Sequence, residues 1–214
     1  MSTQQVQLDF GSLLGEAWGK LSSNLVNFVV AIIILAAITL GLQFIPIIGT
    51  LASFIIGGPL ALGIAHMSLH ASRGERVEIG QLFSGFNQFV PAALAGVIVN
   101  ILVMIGMILC VVPGIVVGAL YMFTFFFMAS GVNNFWSAME SSRIKVSENL
   151  MAWFMLALIL FGINIVGLLL VGVGLLVTMP LSWVVLAITY DRYLNVNVDI
   201  NPTVGDEPID GGQA

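Results

Sequence analysis

The chain has 214 residues, 59% of them hydrophobic and only 8% charged, with a net charge of −5. Soluble domains carry about 25% charged residues. A soluble fold of this size could not hide so much apolar surface, so the solvent for most of the chain is lipid. Four acids, Asp199, Asp206, Glu207 and Asp210, follow the last basic residue, Arg192, and without them the net charge is −1. Six basic residues make no nucleic-acid patch, and the single cysteine, Cys110, excludes a disulfide framework and a cysteine-rich zinc site. No cofactor is expected.

The charges map the topology. Asp9, Glu16 and Lys20 come first, and residues 21 to 72 then carry none. Arg73, Glu75, Arg76 and Glu78 precede a second charge-free run, 79 to 139. Glu140, Arg143, Lys145 and Glu148 precede a third, 149 to 190, before Asp191 and Arg192. Each gap has room for two membrane spans at about 20 residues each. The reading is an all-α integral membrane protein. Six transmembrane helices form three hairpins, each preceded by a cytoplasmic amphipathic helix. Residues 1–24 form the N-terminal amphipathic segment, 25–194 the membrane domain, and 195–214 a disordered acidic tail. The spans fall near 25–45, 50–70, 91–111, 114–131, 151–171 and 174–193. Their turns lie near Pro46 to Gly49, Val112-Pro113-Gly114 and Gly172-Val173-Gly174. All six basic residues are then on one side, which the positive-inside rule makes the cytoplasm, together with both termini. No basic cluster precedes the first apolar run, so no cleavable signal peptide is expected.

In chain order, residues 8 to 25 place Leu8, Phe10, Leu13, Leu14, Ala17, Trp18, Leu21 and Leu25 at three- and four-residue steps. This helix either lies on the membrane surface or packs as a lead-in to the first span. In the second span Gly57, Ala61 and Ala65 form a small-residue stripe suited to close helix approach. Pro59 marks a kink or a first turn. His66 and His70 are four apart and share a face; Cys110 cannot join them, Glu75 and Glu78 could do so only through a turn, and they read as interfacial or interhelical polar residues. Ile79, Leu82, Phe83, Phe86, Phe89 and Val90 then make one apolar stripe ahead of Pro91.

Asn100 lies near mid-span, where a polar amide faces another helix. Pro113 begins the fourth span, and Gly114 and Gly118 have G-x-x-x-G spacing. The aromatic run Tyr121 to Phe127 reads as lipid-facing bulk and packing. Phe135, Trp136, Met139, Val146 and Leu150 make a looser apolar face. Asn164 sits mid-span like Asn100, and Pro180 should bend the sixth span. Three lead-ins look alike: Phe10-Gly11-Ser12-Leu13-Leu14, Ile79-Gly80-Gln81-Leu82-Phe83 and Phe135-Trp136-Ser137-Ala138-Met139. Each precedes two spans, and the second span of each pair carries a proline near its start: Pro59, Pro113, Pro180.

Four segments carry a resemblance: Ile79-Gly80-Gln81-Leu82-Phe83-Ser84-Gly85-Phe86, Val112-Pro113-Gly114-Ile115, Ala138-Met139-Glu140-Ser141-Ser142 and Gly174-Leu175-Leu176-Val177-Thr178-Met179-Pro180-Leu181. Together they resemble a bacterial family of multi-pass inner-membrane proteins of unknown function. That family is related to the membrane domain of some glycerophosphodiester phosphodiesterases. The resemblance covers most of residues 10–194 and implies the fold and a bacterial cytoplasmic membrane, but no activity. Relatives often carry an acid near Gln81 and near Ser137, where this chain is neutral.

No nucleophile–base pair or zincin sequence is present, and two histidines without an intramembrane carboxylate leave little for acid–base chemistry. The expectation is a non-enzymatic membrane protein acting by helix packing, self-association, or partner or lipid binding. Its partners would be the bilayer and a second copy or another membrane protein. The alternative is a permease for a neutral or lipid-like solute, with Asn100, Asn164, Gln43 and His66 as its polar lining.

Overall fold

The computed structural model describes residues 8–45, 48–170 and 172–195. Pro46 and Ile47 of the first expected turn, residues 1–7, and the expected acidic tail beyond Asn195 lie outside the described residues. Among the described residues there are nine α-helices and one 3-10 helix. In order they are α1 (Phe10–Ser22), α2 (Leu25–Gln43), α3 (Ile48–Ser72), the 3-10 helix (Ile79–Gln88), α4 (Phe89–Leu109), α5 (Val111–Tyr121), α6 (Thr124–Ala129), α7 (Phe135–Glu148), α8 (Leu150–Leu169) and α9 (Leu175–Tyr193). Six stretches are long and apolar enough to cross a membrane: Leu25–Gln43, Gly49–Ser72, Ile79–Leu109, Val111–Ala129, Leu150–Leu169 and Leu175–Tyr193. They match the six expected spans closely, except that the third runs back through the 3-10 helix. The 21 residues of α4 extend about 31 Å, the thickness of a hydrocarbon core.

The hub is α3, which touches α1, α2, α4, α6, α9 and the 3-10 helix. Missing side chains let backbones meet there. A Cβ on Gly58 would stand 2.0 Å from the Ala92 carbonyl oxygen, and one on Gly63 would stand 1.8 Å from that of Leu82. A Cβ on Gly85 would likewise stand 2.0 Å from the Pro59 carbonyl oxygen, and one on Gly96 would stand 2.7 Å from the Gly58 Cα. This is close small-residue packing, but on a different face from the expected Gly57, Ala61, Ala65 stripe. A Cβ on Gly57 would meet nothing within 4 Å. One residue turns a helix by about 100°, so Gly58, not Gly57, faces α4. Ala65 is buried as expected. Of the G-x-x-x-G pair, Gly114 packs against Gly106 and Met107, while Gly118 has nothing within 4 Å.

The three prolines are not equivalent. Pro59 lies deep inside α3, Pro113 in the first turn of α5, and Pro180 inside α9. What recurs is a glycine at the start of each second span. A Cβ on Gly49 would fall 1.7 Å from the Leu42 carbonyl oxygen, and one on Gly174 would fall 2.6 Å from that of Gly167. A Cβ on Gly114 would fall 2.9 Å from the Met107 nitrogen near the end of α4. Each glycine lets the second helix start against the last turns of the first.

Three lead-in elements precede these pairs. In α1, Leu13, Ala17 and Leu21 are buried, and Asp9 caps the helix through Gly11 N–H at 3.1 Å. In α7, Ala138, Met139, Ser142 and Val146 are buried, and Asn134 accepts from Trp136 N–H at 2.9 Å. The middle element is a 3-10 helix, so its period is about 3.0 instead of 3.6. That splits the expected stripe. Leu82 and Gly85 face α3, while Phe83, Phe86 and Phe89 form an exposed row with ring centroids 6.3 and 6.0 Å apart. Trp18 and Trp136 are likewise exposed, at 51% and 61%.

The fourth span is broken at Met122 and Phe123, between α5 and α6. The Ser142 hydroxyl of α7 enters the break. It donates to the Leu120 carbonyl at 2.8 Å and accepts from Phe123 N–H at 3.3 Å. A side chain inserted into the backbone ladder is an ordinary cause of a helix break, and here it satisfies both freed backbone groups. The aromatic run around the break is core, not lipid-facing bulk. Phe123, Phe126 and Phe127 are buried with Trp153 and Tyr190. Phe123 meets Trp153 edge-on at 5.4 Å, and Phe127 meets Tyr190 at 5.1 Å.

Candidate functional site

The four residues expected to line a polar path are dispersed. Gln43 is exposed at the end of α2. Asn100 is exposed on α4 and donates at 2.8 Å to the Gly96 carbonyl of its own helix, so it does not face another helix as expected. Asn164 does. Its amide donates to Leu160 O at 2.8 Å and to Ser182 Oγ of α9 at 2.7 Å, and the Ser182 hydroxyl in turn donates to Thr178 O.

His66 sits on α3 with Nδ1 2.9 Å from Ser84 Oγ on the 3-10 helix. The Ser84 hydroxyl already donates to Gln81 O at 2.6 Å. The imidazole tautomer sets which of the two donates, and in either tautomer the contact is a clasp between α3 and the 3-10 helix. His70 pairs with Glu75. Among the described residues no group of three or more His, Cys, Asp or Glu could hold a metal ion.

Ion pairs gather at one end of the bundle. Arg73, just past α3, binds Asp191 of α9 at 3.0 Å, and Ser72 Oγ donates to the same carboxylate at 2.6 Å. The hydrogen bond to Asp191 holds the Arg73 guanidinium above its ordinary pKa. Arg192 reaches Glu16 of α1 at 2.6 Å. The ends of α1, α3 and α9 are thus tied together. On α7, Arg143 pairs with Glu140 one turn away.

Away from that end, α2, α3 and α9 enclose a cleft of about 220 Å³. Leu35, Ile38 and Leu42 of α2 face Ile56, Leu60 and Ile64 of α3 across it, and Met179 and Trp183 of α9 form its back. Gly57 and Ala61 line it, which is where the expected packing stripe goes. Two hydroxyls reach the lining. Thr39 donates to Leu35 O at 2.6 Å and Ser53 to Gly49 O at 2.8 Å, both within their own helices. Both lining hydroxyls are thus used within their own helices, and Trp183 adds an indole N–H to the wall. Ile33 and Leu40 of α2 and Leu51 and Ile55 of α3 are exposed, so both helices that wall the cleft also carry apolar outer surface.

Comparison with family models, curated proteins and solved structures finds no match. The function is argued from this chain's own geometry. Sequence reading missed the cleft and Ser142. Gly57 and Ala61 are the visible signal for the first, since small residues make space as readily as contact. For Ser142 the signal is a buried hydroxyl one helix away from a long aromatic run.

Proposed function

We propose that this chain is a non-enzymatic integral membrane protein of a bacterial cytoplasmic membrane, acting by binding lipid or a membrane partner within the bilayer. In this reading its six spans form three hairpins, each led by an amphipathic cytoplasmic element, and both termini are cytoplasmic. The capped lead-ins at Asp9 and Asn134, the shared burial pattern and the recurring turn glycines support a threefold repeated unit. The exposed row of Phe83, Phe86 and Phe89, with Trp18 and Trp136, suits the headgroup level, where amphipathic aromatics concentrate. The resemblance to the inner-membrane family stays part of the proposal.

The observation that carries the reading is the cleft, which is partly open and lined mostly by apolar side chains, with its two hydroxyls bonded within their own helices. A permease for a neutral or lipid-like solute draws less support, because Gln43 and Asn100 are exposed while Asn164 and His66 bond to different neighbours, so the four residues line no common path.

The test is native mass spectrometry of the full chain released from lipid nanodiscs. The expected masses are the chain with retained lipid, or more than one copy. A bare monomer throughout would overturn the reading. Topology is checked with the native thiol, since Cys110 is exposed between α4 and α5. It should label only from outside. In a Cys110→Ser background, Ser147→Cys on α7 should label only from inside.

A further inference from the structure

Resting on that reading, we propose that the cleft between α2, α3 and α9 is a binding site for one acyl chain of a lipid from the leaflet facing the uncharged turns. Gly57 and Ala61 are the residues that hold the site open.

Volume selects the occupant. The cleft is about 220 Å³, while an apolar cavity of about 150 Å³ accepts benzene. A stretch of hydrocarbon chain fits. Chemistry agrees. The two hydroxyls in the lining donate to Leu35 O and Gly49 O, and apart from them and the Trp183 indole N–H the wall is apolar. A gap in an apolar wall forfeits dispersion contacts until something fills it, and flexible lipid chains are the material at hand.

Depth selects the leaflet. On α2 the lining runs from Ile32 to Leu42, next to the helix end at Gln43. On α3 it runs from Ser53, near the helix start, to Ile64. The site thus occupies the half of the bundle remote from the Arg73–Asp191 and Arg192–Glu16 ion pairs. Ile33, Leu40, Leu51 and Ile55, on the two helices that wall the cleft, are exposed and apolar. A side chain larger than hydrogen at Gly57 meets no protein atom within 4 Å and so projects into the chain's place.

Trp183 at the back of the cleft reports occupancy. The full-length protein is reconstituted into phosphatidylcholine vesicles with bromine at mid-chain, and tryptophan quenching is compared with a Trp183→Phe variant, so that the difference isolates Trp183. The expected result is clear quenching of Trp183 in the wild type and its loss in Gly57→Leu. Ala61→Phe provides a second way to fill the cleft, and both variants are checked for helical content and monodispersity. Absence of Trp183 quenching in the wild type overturns the proposal. So does persistent quenching in either folded filling variant, because Trp183 would then meet lipid by another route. If a second copy is retained in the mass spectra while Trp183 stays unquenched, the site belongs to protein contact. The broader reading then survives and the acyl-chain assignment does not.

Discussion

A methyl group added at Gly58 would lie 2.0 Å from the Ala92 carbonyl oxygen, whereas one added at Gly57 would meet nothing within 4 Å. The two residues are adjacent on α3 and identical in type. One looks toward α4 and the 3-10 helix, where backbones touch. The other looks toward α2, across the cleft. The packed side is crowded and hydrogen-bonded, with the His66–Ser84 clasp alongside Gly63 and Gly85. The open side has mostly apolar side chains, two hydroxyls bonded within their own helices, and space. The lesson is that a small residue in a membrane helix has two opposite uses, and a neighbouring helix decides which one applies.

Substitution at these glycines breaks the comparison most directly. Gly58→Ala and Gly63→Ala force a Cβ into backbone atoms that cannot give way, costing about 1–3 kcal/mol or more. The thermal midpoint and the yield of monodisperse protein in detergent should both fall sharply. Gly57→Ala should leave the midpoint unchanged or raise it, since alanine favours helix over glycine by up to ~1 kcal/mol. Equal losses at Gly57 and Gly58 would erase the distinction between the two sides.

Ser142→Ala sharpens it from the packed side, because α6, which the serine helps to position, packs on α3. The substitution strands the Leu120 carbonyl and the Phe123 N–H in a buried place, at about 1–3 kcal/mol. A smaller drop in the thermal midpoint than for Gly63→Ala is expected. No drop would mean that the break is held by the aromatic cluster alone.

The smallest effect belongs to a pair that touches neither side of α3. The hydrogen bond from Arg143 holds the Glu140 carboxyl below the usual carboxylate range. Its stabilising contribution is therefore present above the unfolded-state pKa and is lost as the pH falls through the lower, folded-state value. The group is exposed, so the contribution is slight. The wild type should exceed Glu140→Gln by a small margin in thermal midpoint at neutral pH, and the margin should vanish on acidification. A margin that grows in acid would reverse the assignment.

Much of this fold was legible in the chain. Asn164 was read as an interhelical residue and is one. Asn100, read the same way, instead bonds its own helix, because a mid-span amide can satisfy its donor on the preceding turn without a neighbour. The single apolar stripe expected from Ile79 to Val90 is in fact two faces, with Leu82 buried and Phe83, Phe86 and Phe89 exposed. The periodicity there was clear, but the choice between a 3.6 and a 3.0 repeat rests on contact with α3, which the glycines Gly63 and Gly85 bring close.

The number and placement of the spans follow from the sequence by itself. A charge inside hydrocarbon is so costly that the charge-free intervals mark which residues meet lipid, and about 20 residues is the length that crosses it. What only the tertiary structure decided is which small residues close a contact and which open a cleft. Glycine and alanine carry no side chain to declare a partner. Their role is set by the rotation of α3 and by where α2 and α4 stand against it, and these are properties of the assembled bundle.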